Sequence, residues 1–151
     1  MYNKYLFNIY GGRFLGSGTY KCVYSPPLLC NVPLANQPFD LNQATEYAGA
    51  LMEEDNAAEE MAELEKIKKI DPTGEFTVQP AYTCDIDLDN IQNYPMDLAN
   101  TKLKGLNPFT AEDYQKCHLL NKDDPDEEPD DLNKQLIYYM GGYNLETMRI
   151  T

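Results

Sequence analysis

Leu15-Gly16-Ser17-Gly18-Thr19-Tyr20-Lys21-Cys22-Val23-Tyr24 is the stretch whose reading decides the fold of this chain. Its first half turns on glycine. Its second half is aromatic and β-branched. Together with the preceding Gly11-Gly12-Arg13-Phe14 it predicts a hairpin over residues 11–25: strand, glycine turn, strand. Ser25-Pro26-Pro27 ends the second strand, because proline has no N–H to give a ladder. The glycines let the backbone of the turn approach a ligand closely.

Two other glycine-loop chemistries do not fit. A phosphate loop of the G-x-x-x-x-G-K-[ST] type needs a Gly-Lys-Ser/Thr run, and none occurs. A dinucleotide-binding loop opens a helix, whereas this one continues into a β-rich segment. An ordinary hairpin with a glycine turn remains the plain alternative.

Further along, residues 26–43 hold four prolines with scattered Leu, Asn and Gln, and predict a loop. Glu46 to Met52 predicts a short strand, weakened by its Ala and Gly content. Residues 53–70 predict the main helix. Ala57, Met61, Leu64, Ile67 and Ile70 make one apolar face. Asp55 or Asn56 is the expected N-cap, with Glu59 completing a capping box. Acidic residues crowd the first turns and Lys66, Lys68 and Lys69 the last, as the helix dipole favours. Asp71-Pro72-Thr73-Gly74 stops it. Glu75 to Tyr82 predicts another strand, and Gln135 to Met140 a final one before Gly141-Gly142.

Between them, residues 85–131 read as a polar, acidic insertion, with a short helix expected from Thr110 and a self-repelling run over 123–131. The expected organisation is one domain over 1–151: a core of 11–84 and 132–146, interrupted by 85–131. The order of one helix among antiparallel strands makes it α+β.

The net charge of −13 argues against nucleic acid, whose backbone recruits Lys and Arg. No apolar run reaches the roughly 18 residues of a membrane helix, and the N-terminus lacks a signal-peptide core. The expected location is therefore cytosolic, not secreted. Cys22, Cys30, Cys84 and Cys117 show no paired zinc spacing, so reduced, partly buried thiols are expected. Asp85-Ile86-Asp87-Leu88-Asp89-Asn90 opens like a calcium loop, but Asn90 and Met96 stand where glycine and a bidentate glutamate belong.

The glycine segment fits the protein-kinase pattern G-x-G-x-x-G-x-V at Gly16, Gly18, Tyr20, Val23 and Tyr24, with Lys21 in place of the third glycine. The chain resembles the serine/threonine-kinase-like proteins of large nucleocytoplasmic DNA viruses in three places. These are Gly16–Tyr24 leading into Pro26-Pro27-Leu28-Leu29-Cys30, Leu51–Glu60 running to Ile67-Lys68-Lys69-Ile70-Asp71-Pro72, and Gln135–Leu145. They cover about half of the chain, in order. The resemblance implies a kinase N-terminal lobe: an antiparallel sheet with one helix, Tyr138 near the gatekeeper position and Tyr139 to Gly142 as the adenine hinge. Nucleotide contacts would fall on Gly16, Ser17, Gly18, Tyr20, Val23, Tyr139 and Met140. The alternative for Met140-Gly141-Gly142 is a strand followed by a turn.

The same resemblance exposes departures. A kinase holds its α- and β-phosphates with a lysine on the third strand, positioned by a helix glutamate. That lysine belongs near Ala50, yet residues 22–65 contain no Lys or Arg. Glu60 or Glu63 would occupy the glutamate position without a partner, or simply form a solvated acidic face. The H-R-D and D-F-G segments are missing, with only residues 143–151 beyond the hinge. The expectation is therefore a non-catalytic lobe without a cofactor, binding ATP weakly at most. Its apolar underside would meet a protein partner, in host cytoplasm or in a virion. The alternatives are half of a split or truncated kinase and a weak ATP-binding regulator.

Overall fold

The computed structural model describes residues 13–17, 19–98 and 116–140, with side chains from residue 19 onward. It is an α+β fold with one five-stranded antiparallel sheet. The strands are β1 (Arg13–Ser17), β2 (Lys21–Ser25), β3 (Tyr47–Met52), β4 (Pro80–Asp85) and β5 (Lys134–Tyr139), in spatial order β1-β2-β3-β5-β4. The one long helix among the described residues, α1 (Glu54–Ile70), follows β3.

The predicted hairpin is present: β1 pairs β2 with Gly16 opposite Val23 and Ser17 opposite Cys22. β2 continues into β3 with Lys21 opposite Met52 and Val23 opposite Ala50. β3 pairs β5 over its whole length, from Tyr47 opposite Tyr139 to Met52 opposite Lys134. The period of two then divides the sheet into faces. Val23, Ala50, Met52, Leu136 and Tyr138 pack against Ala57, Met61, Leu64 and Ile67 of α1. Cys22, Tyr24, Tyr47, Leu51 and Ile137 point the other way.

β3 is buried throughout despite its weak propensity. Central position and packing on both sides override the Ala and Gly content. α1 starts at Glu54 rather than after Asp55 or Asn56. Its N-cap is Glu53, with no side-chain cap bond. Glu54 and Asp55 lie inside the first turn and meet the dipole instead. Ile70, expected on the apolar face, is exposed, because the last turn runs past the sheet.

The strand expected over 75–82 begins only at Pro80. Residues 75–77 are claimed by Asp71, whose carboxylate accepts from the backbone N–H of Glu75, Phe76 and Thr77 and from the Thr77 hydroxyl. Gly74 makes the tight reversal with φ of +71°.

Among the described residues, the face opposite α1 carries no long helix. It is coated by irregular chain from 26–46, 85–94 and 117–132. Leu28, Leu29, Cys30 and Phe39 are buried there, beside Ile86, Tyr94, Leu119, Leu120 and Leu132. The stretches expected to be a loop and a polar insertion thus supply core. Short 3-10 turns at Leu34–Asn36, Leu41–Glu46 and Leu88–Asn90 are the only regular pieces among the described residues of this coat. The helix expected from Thr110 lies mostly outside the described residues. In the acidic run, Lys122 pairs with Glu127 and Asp130, so part of the repulsion is offset.

Buried backbone in a coat without ladders needs other partners. Gln135 on β5 supplies two: its Oε1 accepts from Leu28 N–H, and its Nε2 donates to the Leu28 carbonyl. Gln37 brackets Cys30 in the same manner. The Tyr94 hydroxyl donates to the Pro27 carbonyl at 2.6 Å.

The expectation of reduced thiols is corrected. Cys22 is bridged to Cys117, and Cys30 to Cys84. Once the strands bring the coat over the sheet, the Cα separations are 6.0 and 5.8 Å, within bonding reach. Sequence separations of 95 and 54 residues hid both pairs from a spacing argument.

Candidate functional site: a lysine–glutamate pair beneath the glycine hairpin

Alternation along β2 puts Lys21 and Val23 on the α1 side of the sheet. Glu60 stands on α1 one helical turn beyond Ala57, so its side chain comes down toward the same edge. The Lys21 Nζ donates to Glu60 Oε1 at 2.9 Å. The Tyr20 hydroxyl donates to the same oxygen at 2.8 Å, and the Tyr138 hydroxyl reaches Glu60 Oε2 at 3.5 Å. Lys21 also lies 5.6 Å from the Tyr20 ring centre, within cation–π range.

Glu60 therefore has the partner that the sequence seemed to deny it. The strand expected to carry the lysine offers Ala50 and Met52. Lys21 stands directly across the ladder from Met52, so the ammonium reaches the helix glutamate from the neighbouring strand. It sits one residue outside the Lys-free window of 22–65. Its two-residue phase with Val23 was the available signal.

The electrostatics are coherent. Burial pushes the Glu60 carboxyl upward, but hydrogen bonds from Lys21 and Tyr20 and the Lys21 charge outweigh it, and the group ends below the usual carboxylate range. Burial, then the Glu60 charge, holds the Tyr138 hydroxyl well above its ordinary value. The Tyr20 hydroxyl is raised chiefly by its bond to Glu60. The Lys21 side chain is 34% exposed and that of Glu60 17%. Such a partly solvated pair contributes on the order of 1 kcal/mol to stability or less.

The pair lines an open cleft of about 390 Å³, with Asn56, Glu59, Glu63, Leu64 and Ile67 on its helix wall. One ammonium thus faces three carboxylates. That field favours a cationic or neutral occupant over a bare phosphate.

The expected nucleotide residues divide between places. Tyr20 and Val23 gather with Lys21 and Tyr138 on the helix side of the sheet. Gly16 and Ser17 lie on β1 beside them, described by backbone only, and Gly18 lies outside the described residues. Tyr139 and Met140 border a different cavity of about 600 Å³, between the end of β5 and residues 72–80. The Met140 N–H already donates to the Glu46 carbonyl at 2.7 Å, so it is occupied within the fold. Gly141 and Gly142 lie outside the described residues.

That second cavity is walled by apolar groups in water. Phe76 is 87% exposed, Val78 71% and Tyr139 53%. The Asp71 carboxylate fixes the loop that presents Phe76 and Val78. The Tyr139 ring packs 5.1 Å from Tyr47, which leaves its outer side in solvent.

Among the described residues no group of three or more His, Cys, Asp or Glu converges as a metal site. The calcium-like segment is a polar turn, with Asp87 accepting from Asp89 N–H and Asp85 paired to Lys134. No helix among them is long and apolar enough to cross a membrane. No protein family, curated protein or solved structure matches this chain.

Proposed function

We propose that this chain is a non-catalytic, kinase-lobe-like domain that works by binding another protein. The observation that carries this reading is the fixed apolar rim of Phe76, Val78 and Tyr139 beside Met140. Side chains of that size, held outward by a rigid loop, mark contact surfaces. In the kinase-like reading this rim adjoins the hinge, where a lobe of this kind meets the rest of an assembly. The resemblance to proteins of large DNA viruses makes a shell or scaffold component of the particle the proposed partner, with the virion as the proposed location. The order hairpin, strand, helix, two strands and the helix glutamate meeting a hairpin lysine support the lobe assignment. A β3 strand without lysine supports the non-catalytic part.

A native pull-down from the source material, with every co-purifying chain identified, tests the proposal. Stoichiometric structural proteins support it. Recovery of the chain alone as a monomer counts against it. A stoichiometric partner bearing H-R-D and D-F-G segments would replace it with the split-kinase reading.

The Lys21–Glu60 pair favours a second reading, weak ATP binding by a regulator. Phosphates would be met by Lys21 and the hairpin backbone, and adenine by Val23. The acidic helix wall keeps affinity low. A thermal-shift titration with MgATP tests it: a stabilisation lost in Lys21→Met supports the reading, and no response at millimolar ATP removes it.

A further inference from the structure

Among the described residues, the coat on the face opposite α1 has almost no ladder to hold it. Its attachment is concentrated in side chains that reach from the sheet, and in two covalent links. Cys22 leaves β2 on that face and meets Cys117, at the start of the turn closed by Leu120 N–H and Asn121 N–H onto the Cys117 carbonyl. Cys84 leaves β4 on the same face and meets Cys30, the residue that Gln37 brackets. Each bridge therefore joins a strand to the coat, and neither lies within one element. All four cysteines of the chain are used. Cys22, Cys30 and Cys117 are fully buried, out of reach of a dissolved reductant.

We infer that the working form of this chain is the doubly bridged one, matured by a disulfide-donating thiol oxidase and kept apart from the reducing cytosol, in an oxidising lumen, outside the cell or inside a particle. The inference stands on the cysteine placement alone and does not rest on the kinase-like reading. Cytosolic glutathione and thioredoxin pools hold thiols reduced, so structural bridges of this kind belong elsewhere. The chemistry is exchange. One cysteine thiolate attacks the donor's disulfide, and the second thiolate displaces the donor from the mixed disulfide. Each bridge costs the chain two protons and two electrons, and the electrons reduce the donor's disulfide to a dithiol. The cytosolic expectation drawn from the lack of a signal-peptide pattern is replaced by one drawn from chemistry.

The test uses the full chain from its native source, alkylated with N-ethylmaleimide before lysis and mapped without reduction. Peptides linking Cys22 to Cys117 and Cys30 to Cys84, with no alkylated cysteine, are the expected result. Predominantly alkylated cysteines, or another pairing, overturn the inference. The bridged protein is then digested with trypsin before and after reduction. Cleavage after Lys116 and Lys122 should accelerate more than about tenfold once the coat is released. An unchanged rate would show that the bridges do not hold the coat, and would overturn that part.

Discussion

A methyl group on Gly49 would lie 2.1 Å from the side-chain oxygen of Gln135 and 3.0 Å from Cβ of Pro27. Gly49 is thus the clearance that lets Gln135 cross beneath β3 and clamp Leu28. Its φ is unremarkable, so the requirement is one of space alone. Gly49→Ala should push Gln135 aside and leave Leu28 N–H and C=O buried without partners, at about 1–3 kcal/mol. Urea unfolding of Gly49→Ala, Gln135→Ala and the double variant reads this out. The double variant should lose less than the sum, because both changes break the same clamp.

The Glu60 carboxyl is held low in the fold, so its contribution is present above the unfolded-state carboxylate range and disappears as pH falls through the lower folded value. Wild type should lose stability over that acid window, and Glu60→Gln should lose that part of the dependence. At neutral pH the substitution should cost about 0.5–1 kcal/mol, as expected of a partly exposed pair. Melting curves from pH 3 to 7 decide the matter. Parallel curves for the two proteins would mean that Lys21 and Tyr20 do not hold the carboxylate in solution.

Asp71 makes a separate acid-sensitive point. The Thr77 hydroxyl first, then three backbone N–H groups, keep its carboxyl below the usual range. Asp71→Asn should free the 72–79 loop and shift the amide signals of Glu75, Phe76 and Thr77 more than those of β5. It should also weaken partner capture without unfolding the sheet, because the loop carries half of the apolar rim.

Phe76→Ser and Tyr139→Ser test the rim directly. Phe76 is so exposed that its loss should move stability by no more than about 0.5 kcal/mol. Partner recovery should fall at least about tenfold in each, since apolar anchors carry most of an interface's energy. Full recovery with both substitutions would place the contact elsewhere.

Reduction should be costly. In the loop-closure description, bridges over 95 and 54 residues constrain the unfolded chain by roughly 4–5 kcal/mol each. Denaturant midpoints with and without a phosphine reductant should therefore differ far more than for any single surface substitution above.

The elements with strong local signatures were legible in the sequence. The hairpin announced itself through Gly16 and the β-branched run to Tyr24, the helix through its apolar spacing, and β5 through Leu136-Ile137-Tyr138-Tyr139. The misreadings share a cause. Glu75 to Thr77 have strand-like composition, but the Asp71 carboxylate takes the N–H groups a ladder would need. Residues 26–46, 85–94 and 117–132 looked peripheral because their buried Leu, Tyr and Cys follow no period, and an irregular coat has none to follow. The Lys21–Glu60 pair and both disulfides join residues 39 to 95 positions apart, a distance that only the closed sheet can collapse.

The two bridges are nested, 30–84 inside 22–117, and this makes most of the chain a closed ring. A single backbone cut anywhere between Cys22 and Cys117 leaves two fragments still tied by at least one sulfur bond, and a cut between Cys30 and Cys84 leaves them tied by two. Nicked molecules would keep their mass on a non-reducing gel and separate only when reduced. For a protein carried through surroundings rich in proteases, such a topology preserves the assembled piece after the peptide chain itself has been broken.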